Sequence, residues 1–154
     1  MYIKKATIYE LDILSELFNQ YRVFYHQKPD IEGAREFLNE RIINNESVIF
    51  LAVTDKESMS PMGFVQLYPI FTSVGMNRKW LLNDLFVTEK ERRKGAAKNL
   101  MNAAKEFALE TGASGLLLET GIENVNAQAL YESLGYKREE DVYFYNLALL
   151  VKDV

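Results

Sequence analysis

One stretch limits the folds open to this chain more than any other: Trp80–Phe107, WLLNDLFVTEKERRKGAAKNLMNAAKEF. It opens with an apolar run of strand type, crosses a short charged turn and enters a long amphipathic helix. At the junction, Arg92-Arg93-Lys94-Gly95-Ala96-Ala97 brings cations, a glycine and two very small residues to a helix start. A helix N-terminus presents unsatisfied N–H groups and about half a positive charge from the macrodipole. Gly95 and the alanines remove the bulk that would hold an anion away from those groups. The stretch therefore reads as a pyrophosphate-binding strand–loop–helix unit. A solvated, charged helix start is the alternative that these residues alone leave open.

The elements around it follow from periodicity and breakers. Met1–Ala6 reads as a short strand, and Thr7 with Glu10 forms a capping box. Leu14, Leu17, Phe18, Tyr21 and Phe24 then recur at helical spacing up to Pro29. Asp30 caps a second helix with Ala34, Phe37, Leu38, Arg41 and Ile42 on one side and Asn44-Asn45 as its stop. Ser47–Thr54 and Met62–Ile70 are strands rich in β-branched and aromatic residues, and the short polar link between them predicts an antiparallel hairpin. A loop over Phe71–Lys79 leads to strand Trp80–Val87 and a helix from about Glu91 to Glu110, with Gly112 as its left-handed cap. Gly115–Thr120 reads as a buried central strand parallel to Trp80–Val87. Ala127–Leu134 is a short helix, and Tyr136–Arg138 and Asp141–Leu150 are the last two strands. The order is β-α-α-β-β-β-α-β-α-β-β: an α/β fold with a mixed sheet and helices on both faces.

A chain of 154 residues with this pattern is expected to form one domain. The net charge of −4 argues against general nucleic-acid binding. The absence of cysteine excludes disulfides, thiolate metal sites and a cysteine nucleophile, and the single histidine, His26, excludes a histidine-rich metal site. No apolar run reaches a membrane span and no signal-peptide pattern opens the chain, so a cytoplasmic protein is expected.

Arg92-x-x-Gly95-x-Ala97, placed after Leu85-Phe86-Val87, resembles the (Arg/Gln)-x-x-Gly-x-(Gly/Ala) loop of the GNAT superfamily, the acyl-coenzyme-A-dependent N-acetyltransferases. The segment Asn126 to Tyr136, NAQALYESLGY, is similar to that family's Asn-x-x-Ala-x-x-x-Tyr-x-x-x-Gly-(Phe/Tyr) motif. Two motifs in the right order on the right elements form a joint signal that neither carries alone.

The resemblance implies the GNAT-like fold over essentially the whole chain and acetyl-coenzyme A as cofactor, with no metal. It implies that backbone N–H groups around Arg92, Arg93, Lys94, Gly95, Ala96, Ala97 and Lys98 hold the pyrophosphate. Leu85, Phe86 and Val87 would pair with the pantetheine arm like an added strand and polarise the thioester carbonyl. Asn126 would contact the cofactor, and Tyr131 would protonate the departing sulfur. Read without the resemblance, Tyr131 is a packing tyrosine beside Ala127, Leu130 and Leu134, and Asn126 a helix cap.

The acceptor is expected to be a primary amine, on a small molecule or a peptide. Asp84 and Glu119 are the carboxylates that could accept its proton. Many relatives carry a glutamate where this chain has Asn83, which cannot act as a base. Tyr21, Tyr25, Glu32 and Tyr68 come from segments that rim the acceptor pocket in the resembled fold, and their aromatic faces and carboxylate suit a cation. Asn83 motivates an alternative, a coenzyme-A-binding sensor or scaffold without turnover. A cofactor-free interaction domain using Arg92–Lys94 is a third reading. The apolar run at Val142–Leu150 predicts a homodimer through edge strands.

Overall fold

The structure is a computed structural model that describes residues 1–150. The chain divides into two compact units, Met1–Glu119 and Thr120–Val154. The first contains a five-stranded sheet in the order β1-β2-β3-β4-β5. Its strands are β1 (Tyr2–Lys5), β2 (Val48–Val53), β3 (Pro61–Thr72), β4 (Asn77–Val87) and β5 (Leu116–Leu117). The first four are antiparallel neighbours, and β5 runs parallel to β4. A mixed sheet with helices is the architecture expected from the sequence.

Helices α1 (Leu11–Phe24) and α2 (Ile31–Ile43) cover one face of this sheet. The capping box forms: Glu10 accepts from the Thr7 N–H at 2.7 Å, and Thr7 Oγ1 accepts from the Tyr9 N–H. A single 3₁₀ turn (Ile8–Glu10) precedes α1. Asp30 caps α2 through the Gly33 N–H at 2.9 Å. Leu14, Leu17, Phe18, Ala34 and Leu38 bury against Ile49, Leu51, Val53, Phe64 and Phe86. Phe24 departs from its expected core place: it is 54% exposed, at the last turn of α1. Helix α3 (Ala96–Glu110) packs on the opposite face, where the Phe107 ring lies 5.1 Å from Trp80 and 5.7 Å from Phe50. Thr111 Oγ1 accepts the Trp80 indole N–H at 2.9 Å, and Gly112 takes the left-handed φ of 70° expected of a C-terminal cap.

Several boundaries differ from expectation for physical reasons. The 71–79 loop is mostly strand. Met76 adopts φ 51°, and Thr72 Oγ1 donates to Asn77 Oδ1 at 2.8 Å, so β3 and β4 extend to a tight turn. Helix α3 begins at Ala96 because residues 89–91 form a 3₁₀ turn and Arg92–Gly95 a left-handed corner. The expected central strand at 115–120 contracts to Leu116–Leu117, half-exposed at the edge of the sheet. Its apolar run suits burial, but among the described residues only Trp80 and Leu81 provide a ladder for it.

In the second unit, α4 (Val125–Ser133) is capped by Asn124, whose side chain accepts from the Ala127 N–H at 3.3 Å. Asn126 is therefore inside the first turn and is not the cap. Gly135, at φ 95°, ends the helix. Among the described residues, the two final strands expected at 136–138 and 141–150 do not form: residues 136–150 take part in no ladder. Strand-type composition supplies the side chains but not the neighbouring N–H and C=O groups that a strand requires.

Candidate active site

The first unit gathers its polar chemistry where β4 changes course. Gln66 pairs with Asp84, but the next residue of β3, Leu67, pairs with Leu82. Asn83 is thus an extra residue, a β-bulge, which bends a strand and re-aims its side chains. The consequence is visible on either side of it. Trp80 packs against Phe107 on the α3 face, whereas Phe86 lies against Tyr21 and Phe64 on the α1 face. Residues 80 and 86 would share a face in a regular strand. The bulge turns Asp84 and Phe86 toward α1.

Asp84 is 4% exposed and sits at the centre of a hydrogen-bonded cluster. Gln66 Nε2 donates to its Oδ2 at 2.5 Å and Asn83 Nδ2 to its Oδ1 at 3.0 Å, and the Tyr21 hydroxyl donates as well. No cation belongs to this set. Burial pushes the Asp84 carboxyl above the usual carboxylate range, and the three neutral donors only partly oppose it. The same burial, with the nearby Asp84 charge, raises the Tyr21 phenol and lifts Tyr68 to about 12. Both phenols therefore stay protonated and able to donate at neutral pH. Tyr25, exposed, meets Tyr21 edge-on at 5.2 Å. Glu32 lies exposed in the first turn of α2, and Glu119 is exposed beyond β5. The fold thus brings Asp84, Tyr21 and Tyr68 together, with Tyr25 at the margin, and leaves Glu32 and Glu119 outside the hydrogen-bonded cluster. Gln66, fully buried, is the member that sequence reasoning missed. A glutamine inside the apolar run MGFVQLYPI was the available signal.

Downstream of the bulge, β4 has an open side. Thr88 N–H donates to Met62 C=O, so the alternation of an antiparallel ladder turns the backbone of Leu85 and Val87 away from β3. Among the described residues the β5 ladder on that side stops at Leu81. Gly63 makes the close β3–β4 approach possible, since a Cβ there would lie 2.3 Å from Phe86 O. Arg92 Nε donates to Val87 C=O at 3.1 Å, and its guanidinium lies 5.3 Å from the Phe24 ring. Arg92 therefore braces the exit of β4. Lys94 is paired with Glu91 at 2.9 Å. With these two side chains engaged, the anion-binding capacity of the turn resides chiefly in its backbone. Arg93 at φ 65° and Gly95 at φ 86° shape a left-handed corner ahead of α3, and a Cβ built on Gly95 would meet nothing within 4 Å. Helix α3 has no side-chain N-cap and no acidic residue in its first turn, and Ala96, Ala97 and Lys98 begin it. Alternating left-handed residues before an uncapped helix form an anion-binding concavity. The turn and the open side of β4 fit a pyrophosphate followed by an extended, hydrogen-bonding arm.

In the second unit, Tyr131 lies on α4 with its ring 6.2 Å from Tyr136. Burial and the neighbouring Tyr131 push the Tyr136 phenol up to about 12. Asn126 is exposed in the first turn of α4. Among the described residues no cluster of His, Cys, Asp or Glu could hold a metal ion, and no helix is long and apolar enough to cross a membrane.

The family model of the acetyltransferase (GNAT) family matches residues 11–136. The uncharacterized N-acetyltransferase YhfO of Bacillus subtilis (strain 168) is 46% identical over 151 residues, covering 98% of each chain. A probable acetyltransferase of Haemophilus influenzae is 32% identical over 97% of this chain and 99% of its own. A solved structure described as a probable acetyltransferase is 40% identical and superposes with a TM-score of 0.93, covering 99% of this chain and 100% of that one. This chain belongs to the GNAT family of N-acetyltransferases.

Proposed function

We propose that the protein moves an acetyl group from acetyl-coenzyme A to a primary amine in the cytoplasm. The observation that carries this reading is the opening of β4 beyond the Asn83 bulge, which leads directly into the uncapped turn at Arg92–Gly95. Acetyl-coenzyme A, when bound, supplies the acetyl group as a thioester. Backbone N–H groups from Arg93 to Lys98 bind its pyrophosphate. The outward backbone of Leu85 and Val87 holds the extended arm and polarises the acyl carbonyl. Asn126 supplies a further cofactor contact.

Proton traffic is divided between two tyrosines. Tyr131, carried by its motif on α4, delivers a proton to the sulfur that leaves. At the other end the amine gives up its proton to the Tyr21 oxygen as the Tyr21 proton passes to Asp84. The raised Asp84 carboxyl is a better proton acceptor than an ordinary aspartate, and Gln66 and Asn83 fix its orientation. Asp84 is thus the final proton acceptor, reached through Tyr21. Tyr25, Tyr68 and Glu32 favour a cationic acceptor, and Glu119 is the remaining candidate carboxylate. More distant relatives are named as an aminoglycoside N(6')-acetyltransferase and a D-amino-acid N-acetyltransferase, which supports an acceptor of this class.

Coenzyme A should raise the melting temperature, and acetyl transfer to a panel of small and peptide amines should fall by about 10²–10⁴-fold in Tyr131→Phe with coenzyme A affinity retained. Absence of any thermal shift with coenzyme A sinks the cofactor assignment. A clear shift with no product from any amine would instead favour a sensor that keeps the fold, the reading that Asn83 motivates.

A further inference from the structure

Gln66 lies fully buried in β3, between Val65 and Leu67, which are themselves sealed from solvent. Strand alternation puts its side chain on the α1 face with Phe64, and there Nε2 reaches Asp84 Oδ2 at 2.5 Å. The other arm of the amide is unsatisfied: Oε1 is buried and has no hydrogen-bond partner among the described residues. A buried acceptor left unpaired lowers stability, and so does a buried carboxylate with no cation beside it. Replacing both partners by apolar groups of the same size would leave nothing unpaired. A backbone ladder from Gly63 to Thr72 already joins β3 to β4, so the strands do not need this side-chain pair to hold them together.

We propose that Gln66 is a positioning residue of the acetyl transfer: its amide holds the Asp84 carboxylate in place as an ionised proton acceptor, and the fold is less stable for it. This role rests on the acetyl-transfer reading, in which the proton of the amine ends on Asp84 by way of Tyr21. An N–H aimed at Oδ2 favours the charged form of the carboxyl against the burial that disfavours it. Tyr21 on α1 and Tyr68 on β3 are the titratable groups that face Asp84, and Tyr25 acts on Tyr21. Arg41 on α2, itself paired with Glu40 and Glu46, reaches Tyr68. Burial and the Asp84 charge keep the Tyr21 and Tyr68 phenols protonated through neutral pH, so neither titrates alongside Asp84 there. Of the three neutral donors to Asp84, Asn83 is exposed and Tyr21 partly so. Gln66 is sealed and cannot exchange its bond for one to water.

Gln66→Met removes the donor and keeps the bulk. With acetyl-coenzyme A and the fastest amine of the panel, kcat at neutral pH should fall about 10–100-fold, the worth of a hydrogen bond to a charged group, while KM for acetyl-coenzyme A holds. The loss should shrink as pH rises, because the ascending limb of kcat moves to higher pH when Asp84 loses a donor. A loss of the same size at every pH overturns the proposal, since a displaced strand gives that result. Stability supplies a second readout that needs no turnover. Gln66→Met combined with Asp84→Leu should match or exceed the unaltered protein in its chemical denaturation midpoint, because Asn83 and Tyr21 can turn to water. A double variant with a clearly lower midpoint means that the pair serves the fold, and the proposal falls. If the unaltered protein acetylates no amine, the acetyl-transfer reading fails and this role with it. If it is active and Gln66→Met is equally active at every pH, only the role of Gln66 fails.

Discussion

Glu10 and Asp84 are equally buried, each 4% exposed, and their carboxyls move in opposite directions. Burial pushes both upward. At Glu10 an ion pair with Lys4 and hydrogen bonds from the Thr7 N–H and hydroxyl outweigh it, and the group ends below its ordinary value. At Asp84 the partners are a glutamine amide, an asparagine amide and a phenol, all neutral, and burial wins. Burial alone therefore does not set the direction in which a buried carboxyl shifts. The presence of a compensating cation does. Glu10 fastens a helix start to β1, whereas Asp84 is left ready to take a proton.

The largest effect that could break this contrast is on turnover. Asp84→Asn keeps shape and hydrogen-bonding capacity but removes the proton acceptor, and kcat should fall by about 10²-fold while coenzyme A affinity holds. Equal loss of cofactor affinity would mean that Asp84 serves only the shape of β4. Next in size is the response of stability to pH. The Asp84 carboxyl is raised, so its contribution is greatest below its unfolded value near 3.8 and is lost as pH rises through the folded value. The Glu10 carboxyl is lowered, so it stabilises above its unfolded value near 4.5, and that contribution disappears as pH falls through the folded value. Chemical denaturation across pH 3 to 8 should show Asp84→Asn gaining on the unaltered protein as pH rises and Glu10→Gln losing ground. Curves of the same sign would end the comparison. The smallest effect is the loss of Glu10 at neutral pH: Glu10→Gln should lower stability by about 1 kcal/mol, as for a weakened cap, with kcat unchanged.

Much of this molecule was legible residue by residue, and the limits of that legibility have physical causes. Thr7-x-x-Glu10, Asp30 and Gly112 act within one or two turns of their own position, so their caps formed where the sequence put them. The Arg92–Ala97 turn was readable as a shape, a left-handed corner ahead of a helix without a side-chain cap, which its glycine announces. The Asp84 cluster was only half readable. Tyr21, Tyr68 and Asp84 were candidates, but Gln66 was not, since its meeting with Asp84 depends on β3–β4 register and on a bulge that no residue type encodes. The strands expected at 136–138 and 141–150 failed for a related reason. Composition can nominate a strand, but the partner that completes it lies elsewhere.

The bulge at Asn83 has a consequence for how substitutions along β4 should interact. Residues 80, 82, 84 and 86 are all buried and alternate as though they lined one layer. The first two belong with α3 and the last two with α1. Epistasis measured along this strand should therefore change partners midway. A conservative swap at Trp80 should be rescued or worsened by changes at Phe107, and one at Phe86 by changes at Tyr21, with little cross-talk between the two pairs. Eleven consecutive residues would behave as two short strands in genetic terms, and the upstream half could drift in sequence without disturbing the half that holds Asp84.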